Sequence, residues 1–186
     1  MTALASAISL DRLSVAQTGR RYTIEMRVHL DVPAHAAYRV FANLDNLRKL
    51  NSDVQEARVV GRGPPGTVDL YSRIRVCVLW LCRALRETQR MTFVSSSDGG
   101  EVYARVLPLG GDLREGYAQW TFRRAGAGTR LEMTAQLEPA FRVPPLIGPW
   151  LVKRWLRGQV ELTAANLERL ARAGSEAISS GARRAR

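Results

Sequence analysis

Residues 22–30 alternate strictly, with Tyr22, Ile24, Met26, Val28 and Leu30 on one side and Thr23, Glu25, Arg27 and His29 on the other. A period of two with one apolar side predicts a half-buried strand. Asp31-Val32-Pro33 ends it. Over residues 34–44 the spacing becomes helical: Ala37, Tyr38, Phe41 and Leu44 share a face, and Asp31 or a neighbour is placed to cap the first turn. A second, short helix is predicted over residues 45–50. The period of two then returns in six segments, 54–61, 68–82, 85–95, 101–107, 113–124 and 131–137. The turn formers Gly61-Arg62-Gly63-Pro64-Pro65-Gly66, Asp98-Gly99-Gly100, Gly110-Gly111 and Ala125-Gly126-Ala127-Gly128 separate most of them. In the longest segment Val68, Leu70, Ser72, Ile74, Val76, Val78, Trp80 and Cys82 share a face, opposite Asp69, Tyr71, Arg73, Arg75 and Arg83.

Pro144-Pro145 and Gly148-Pro149 exclude a further strand and lead into a helix predicted to about residue 173. Val152, Trp155, Leu156, Gln159, Val160, Thr163, Leu167 and Leu170 form its broad apolar face. Residues 174–186 are small and polar and end in arginines, the composition of a disordered basic tail. Residues 1–19 read as an N-terminal extension, which leaves one domain over 20–173. The fold class is therefore α+β: a strand, two short helices, six more antiparallel strands and a long C-terminal helix. Hairpin-joined strands with one apolar face need a cover, and only the long helix is large enough. A curved seven-stranded sheet wrapped around that helix is the expected architecture. The space between them, lined by Trp80, Trp120, Phe122, Met133 and Trp155, suits an apolar ligand unless those side chains fill it as core. Val76, Met91, Gln159 and Thr163 stand on the same inward faces.

Composition adds charge to this picture. The 186 residues carry 28 Lys plus Arg against 17 Asp plus Glu, a formal net charge of +11, and only Lys49 and Lys153 are lysines. So strong an arginine bias fits a GC-rich bacterial genome. The excess survives removal of both terminal stretches, so it belongs to the folded body. Such a body attracts nucleic acid, acidic headgroups or an acidic protein through a field that salt weakens. Dispersed charges fit a solvated surface equally well, and nothing points to recognition of a DNA sequence. No apolar run reaches the about 20 residues needed to span a bilayer, which excludes an integral membrane protein of helices. Residues 1–10 lack the basic start and apolar core of a signal peptide, so a cytoplasmic location is expected. Cys77 and Cys82, five apart within one predicted strand, face opposite ways, which predicts two free thiols. His29 and His35 lie far from them, so neither a metal nor another cofactor is expected. His35, in a first helical turn without a neighbouring partner, reads as exposed rather than catalytic.

Several stretches together carry a resemblance. They are the Val32-Pro33-Ala34 helix entry, Leu44-Asp45-Asn46-Leu47 before Asn51-Ser52-Asp53-Val54, the Gly128-Thr129-Arg130-Leu131 hairpin exit, and Pro144-Pro145-Leu146-Ile147-Gly148-Pro149 before the last helix. With the element order, they resemble the START-like (SRPBCC) superfamily over residues 20–172, and within it the polyketide cyclase/dehydrase and coenzyme Q-binding branch. The resemblance implies a helix-grip fold with an apolar cavity. It implies no single activity, because members bind lipids or quinones, steer aromatic cyclisation, or associate with the large ribosomal subunit. The chain departs from many relatives at Leu50-Asn51, where they carry an aromatic residue, and no catalytic residue of the aromatase/cyclases matches a position in it.

Candidate chemistry follows from the strand faces. Ser72 is the one hydroxyl among apolar inward neighbours. Glu87 and Gln89 turn inward with Leu85, Met91 and Phe93, and Arg114 shares a side with Trp120 and Phe122. In one reading Ser72, Glu87, Gln89 and Arg114 orient the polar head of an apolar ligand, and a raised Glu87 pKa supports proton transfer in a cyclisation or dehydration. In the other, Glu87 and Arg114 form an ion pair at the sheet rim. Without a Gly-x-Ser-x-Gly elbow, a Cys–His pair or a phosphate-cradling glycine loop, hydrolytic and nucleotide-driven chemistries have no visible parts. Binding or carriage of a hydrophobic small molecule, a lipid, quinone or polyketide-like compound, is the first expectation. A cyclase/dehydrase acting on a substrate tethered to an acidic acyl carrier protein is the second, and a module docking on ribosomal RNA the third.

Overall fold

The strictly alternating segment forms the strand next to one edge of the sheet. In the computed structural model, which describes residues 9–78, 81–109, 111–143 and 149–184, β2 (Arg21–Leu30) buries Tyr22, Ile24, Met26, Val28 and Leu30 and turns the intervening side chains away. It pairs antiparallel with β1 (Ser9–Thr18) on one side and β8 (Gly128–Pro139) on the other. Beyond β2 come α1 (Ala34–Ala42), a 3-10 turn (Leu44–Asn46) and α2 (Leu47–Leu50). A meander follows: β3 (Val54–Arg62), β4 (Thr67–Val78), β5 (Leu81–Ser96), β6 (Gly99–Val106) and β7 (Leu113–Ala125), then β8. The sheet order is β1-β2-β8-β7-β6-β5-β4-β3, so the meander closes on β2. Across its concave face lies α3 (Pro149–Arg184), which packs on β1 and β2 near one edge, on β4 near the other, and on α1 and α2. This is the helix-grip arrangement. No helix among the described residues is long and apolar enough to cross a membrane.

Apolar burial and a few polar ties hold α3 in the grip. Ala164, Leu167 and Ala171 are buried in the core shared with the sheet and α1, full burial of a side chain such as Leu167 contributing about 1.5–3 kcal/mol. Asn166 Nδ2 donates to Leu50 O at 3.1 Å. Glu168, only 4% exposed, accepts the backbone N–H of Asp31 at 2.6 Å and lies 3.4 Å from Arg172, so the buried charge is satisfied. The side-chain cap expected from Asp31 or a neighbour is not made, the N-cap position of α1 being Pro33. Pro33 O receives the Ala36 and Ala37 amides instead, each at 3.0 Å. Two of the family-like stretches meet here: fully buried Thr129 donates through Oγ1 to Val32 O at 2.5 Å. Gly99-Gly100, read as part of a turn, opens β6 and seats α1. A Cβ on Gly100 would come within 2.6 Å of the Tyr38 ring, and one on Gly99, whose φ is +140°, within 2.0 Å of Phe122 O.

The structure corrects three expectations. The sheet has eight strands rather than seven, because residues 9–18 of the expected extension form β1. Leu13 and Val15 face the core opposite Met26 and Ile24, and Gly19, at φ +60°, supplies the turn into β2. The single strand predicted over 68–82 is two strands. Val78 pairs with Leu81 and Cys77 with Cys82, so the cysteines are cross-strand neighbours, with Cα atoms 4.0 Å apart, joined in a disulfide rather than free. Leu79-Trp80 contains no turn-forming residue, and alternation therefore reads straight through the reversal. Finally, α3 continues to Arg184, through most of the expected disordered tail. The Pro144–Gly148 approach to it and Trp80 lie outside the described residues.

On the outer face arginines interleave with carboxylates. Arg27–Glu132, Arg90–Asp69, Arg12–Glu25 and Arg58–Glu56 lie at 2.7, 2.8, 2.9 and 3.1 Å. Exposed pairs of this kind contribute little stability, but they break up the positive field.

Candidate functional site

The concave face does not fill. Register places Ala104, Ala118 and Ala135 side by side across β6, β7 and β8, with Gly116 next along β7, where larger inward side chains would meet α3. The missing side-chain volume leaves a cavity of about 360 Å³ between sheet and helix. That is within the usual size of a small-molecule site. Leu70, Ser72 and Ile74 of β4 and Glu87, Gln89 and Met91 of β5 line one wall, and Gln159, Val160, Thr163 and Leu167 of α3 another. Phe41, Leu47, Leu50, Asn51 and Val54, from the connection between β2 and β3, line a further side. Three methionines, Met26, Met91 and Met133, contribute to the lining.

Besides the neutral side chains of Asn51, Gln89, Tyr117, Gln136 and Thr163, the polar lining consists of Ser72, Glu87 and Gln159. Ser72 and Glu87 are direct cross-strand partners, and Ser72 Oγ donates to Glu87 Oε1 at 3.4 Å. Burial pushes the Glu87 carboxyl above the ordinary glutamate range, and the Ser72 hydrogen bond offsets this only in part. What surface Glu87 retains faces the cavity. From the helix side Gln159 Nε2 donates to Asp53 Oδ2 at 2.9 Å, leaving Gln159 Oε1 buried without a partner. Asp53 is held in turn by Arg75 at 3.2 Å. No Arg, Lys or His is among the described residues lining the cavity. The arrangement can accept hydrogen bonds from a bound molecule and hold or release a proton at Glu87.

Of the residues expected at the cavity, Ser72, Glu87, Gln89, Met91, Trp120, Met133, Gln159 and Thr163 line it. Val76 and Trp155 are half-buried and do not. Phe122, 1% exposed, is core beneath α1, its ring 6.0 Å from that of Tyr38 and 5.2 Å from that of Phe41. Arg114 is a correction. It is exposed and lines a separate outer groove with Arg21, Arg105 and Glu138. A bulge between Leu113 and Glu115 reverses the parity of β7, so Leu113 faces the cavity and Arg114 faces out. The proposed Glu87–Arg114 pair consequently does not form.

Of the cations along β5, Arg90 pairs with Asp69 on the outer face, and Arg83 and Arg86 are engaged by Asp112. Its carboxylate accepts the Arg86 amide at 2.9 Å and Arg83 Nη2 at 3.0 Å. Burial alone would push the Asp112 carboxyl up. The Arg86 amide, the Arg83 hydrogen bond and both positive charges outweigh that and hold it below the ordinary aspartate range. The clasp secures the β6–β7 connection beside cavity-lining Leu113. Sequence reasoning also missed the alanine row and the Phe41–Val54 side. The first was visible as alanines at inward positions, whereas the second depends on how the short helices dock.

Comparison with known proteins places this architecture. The family described as polyketide cyclase / dehydrase and lipid transport matches residues 21–172. No curated protein matches the chain by sequence. Among solved structures, human STARD10 superposes with a TM-score of 0.68 at 14% identity, covering 96% of this chain and 79% of its own. TTHA0849 from Thermus thermophilus gives 0.66 at 19% identity, covering 82% and 99%. The Zhui aromatase/cyclase from a Streptomyces species gives 0.57 at 13%, covering 84% and 94%. At these identities the structures establish the shared fold, and the family match extends over most of the chain. The protein is a member of the polyketide cyclase/dehydrase and lipid transport family.

Proposed function

We propose that the protein binds and carries a hydrophobic small molecule, a lipid, quinone or polyketide-like compound, between the sheet and α3. The observation that carries this reading is the row Ala104, Ala118 and Ala135, which holds open an apolar cavity where ordinary core residues would close it. Its relatives support it: the family description includes lipid transport, and a STAR-related lipid transfer protein from Xanthomonas axonopodis has the same fold, with a TM-score of 0.59 at 17% identity. Native mass spectrometry of freshly purified protein, followed by solvent extraction, tests it. A stoichiometric apolar molecule is expected on the natural chain and none on Ala118→Leu, which fills the hollow. Equal occupancy of both, or of neither, would count against carriage in this cavity.

Glu87 supports a second reading, a cyclase or dehydrase in which this carboxyl moves a proton on a bound polyketide-like substrate. Its burial, which raises the carboxyl above the ordinary glutamate range, suits a group that holds and releases a proton on a bound molecule. Glu87→Gln separates the readings: retained binding with lost turnover indicates the enzyme, and the absence of turnover by the natural chain indicates the carrier.

A further inference from the structure

Resting on the cavity as the ligand site, we propose that the polar end of the ligand is a hydrogen-bond donor, a hydroxyl or an ammonium, and that carboxylates and phosphates are rejected. Although the chain carries a net charge of +11, no cationic side chain is among the described residues lining the cavity. Arginines adjoin lining positions along the chain, among them Arg73, Arg90 and Arg105, which are exposed, and three near Glu87 and Leu113 are turned elsewhere. Arg114 faces the outer groove, while Arg83 and Arg86 are engaged by Asp112. Glu87 is the one carboxyl group among the described residues of the lining. A single long hydrogen bond, from Ser72 Oγ at 3.4 Å, leaves most of its accepting capacity unused. The amide of Gln159 is fixed by Asp53 with its own oxygen as the spare atom.

An anionic head would find neutral donors such as Gln89 and Thr163, but it would enter a low-dielectric space beside a carboxyl group with no counter-charge, the arrangement that costs most. A hydroxyl or ammonium would supply the missing donor in either protonation state of Glu87, since both forms retain an accepting oxygen. The sign of selection is thus opposite to that of the outer surface, which attracts anions. Surface charge and cavity preference are separable for that reason.

The test uses the full chain loaded with the fluorescent neutral amine N-phenyl-1-naphthylamine, displaced by 1-decanol, decylamine or decanoate. High salt screens the surface, and the pH is kept well above the ordinary carboxylate range. Decanol and decylamine are expected to displace the probe at concentrations at least about tenfold lower than decanoate. In Glu87→Gln the advantage of decylamine over decanoate, each referred to that variant's own affinity for the probe, should fall by about tenfold. Decanoate competing as well as decanol in the natural chain would overturn donor selection and leave the cavity reading intact. Failure of the probe to bind, or undiminished binding of all compounds to Ala118→Leu, would overturn the cavity reading and this inference with it.

Discussion

A carboxyl group that burial keeps protonated to higher pH in the folded chain than in the unfolded one makes folding proton-linked, and Glu87 is such a group. Because its folded pKa is raised, its favourable contribution is complete below the unfolded glutamate range and is lost as pH rises through the folded value. Glu87→Gln keeps the shape without the charge. Its thermal midpoint should match the natural chain in acid and exceed it at neutral pH, read by circular dichroism melts across that interval. A midpoint difference that does not vary with pH would refute the linkage. Asp112 behaves oppositely, since its lowered pKa adds stability above the unfolded aspartate range and loses it as pH falls through the folded value. Asp112→Asn should therefore cost about 2 kcal/mol at neutral pH in denaturant titrations, and less in acid.

At the scale of elements, the β4–β5 hairpin is the place where covalent and hydrogen-bonded structure coincide. Cys77 and Cys82 sit opposite each other on paired strands. The link closes a very short loop, so replacing both cysteines by serine should cost no more than about 2 kcal/mol and leave the cavity's ligand preference unchanged. Thiol titration of the unfolded, unreduced chain should find no free cysteine. The same hairpin shows why legibility was uneven. β2 and β8 were readable because strict alternation has one interpretation when one face is buried. The reversal between β4 and β5 was not, because the sequence between them contains no turn former. Nor was the bulge that swings Arg114 outward, since a one-residue insertion in one strand is defined only against its partner. Ser72 and Glu87 were found because they lie on stretches where parity is uninterrupted, whereas β1 was passed over although Leu13 and Val15 carry its alternation.

For the molecule as a whole, the polar ties of α3 converge on one region. Gln159, Asn166 and Glu168 bond to Asp53, Leu50 and Asp31, all within the connection from β2 to β3 or at its ends. The helix is thus fastened beside the short helices, and the cavity opens between it and the alanine row of β6–β8. The hollow and its few polar groups draw on residues from Met26 to Leu167, which explains why no local motif announced them. The lining also comes with its own reporters. The chain has four methionines, and Met26, Met91 and Met133 all face the cavity. Thioether side chains are polarizable and change rotamer cheaply, so this lining can mould itself to molecules of different outline. Carbon-13 labelling of the methionine methyl groups would place three magnetic probes against any occupant, so that filling and emptying of the cavity can be followed in solution without altering a residue.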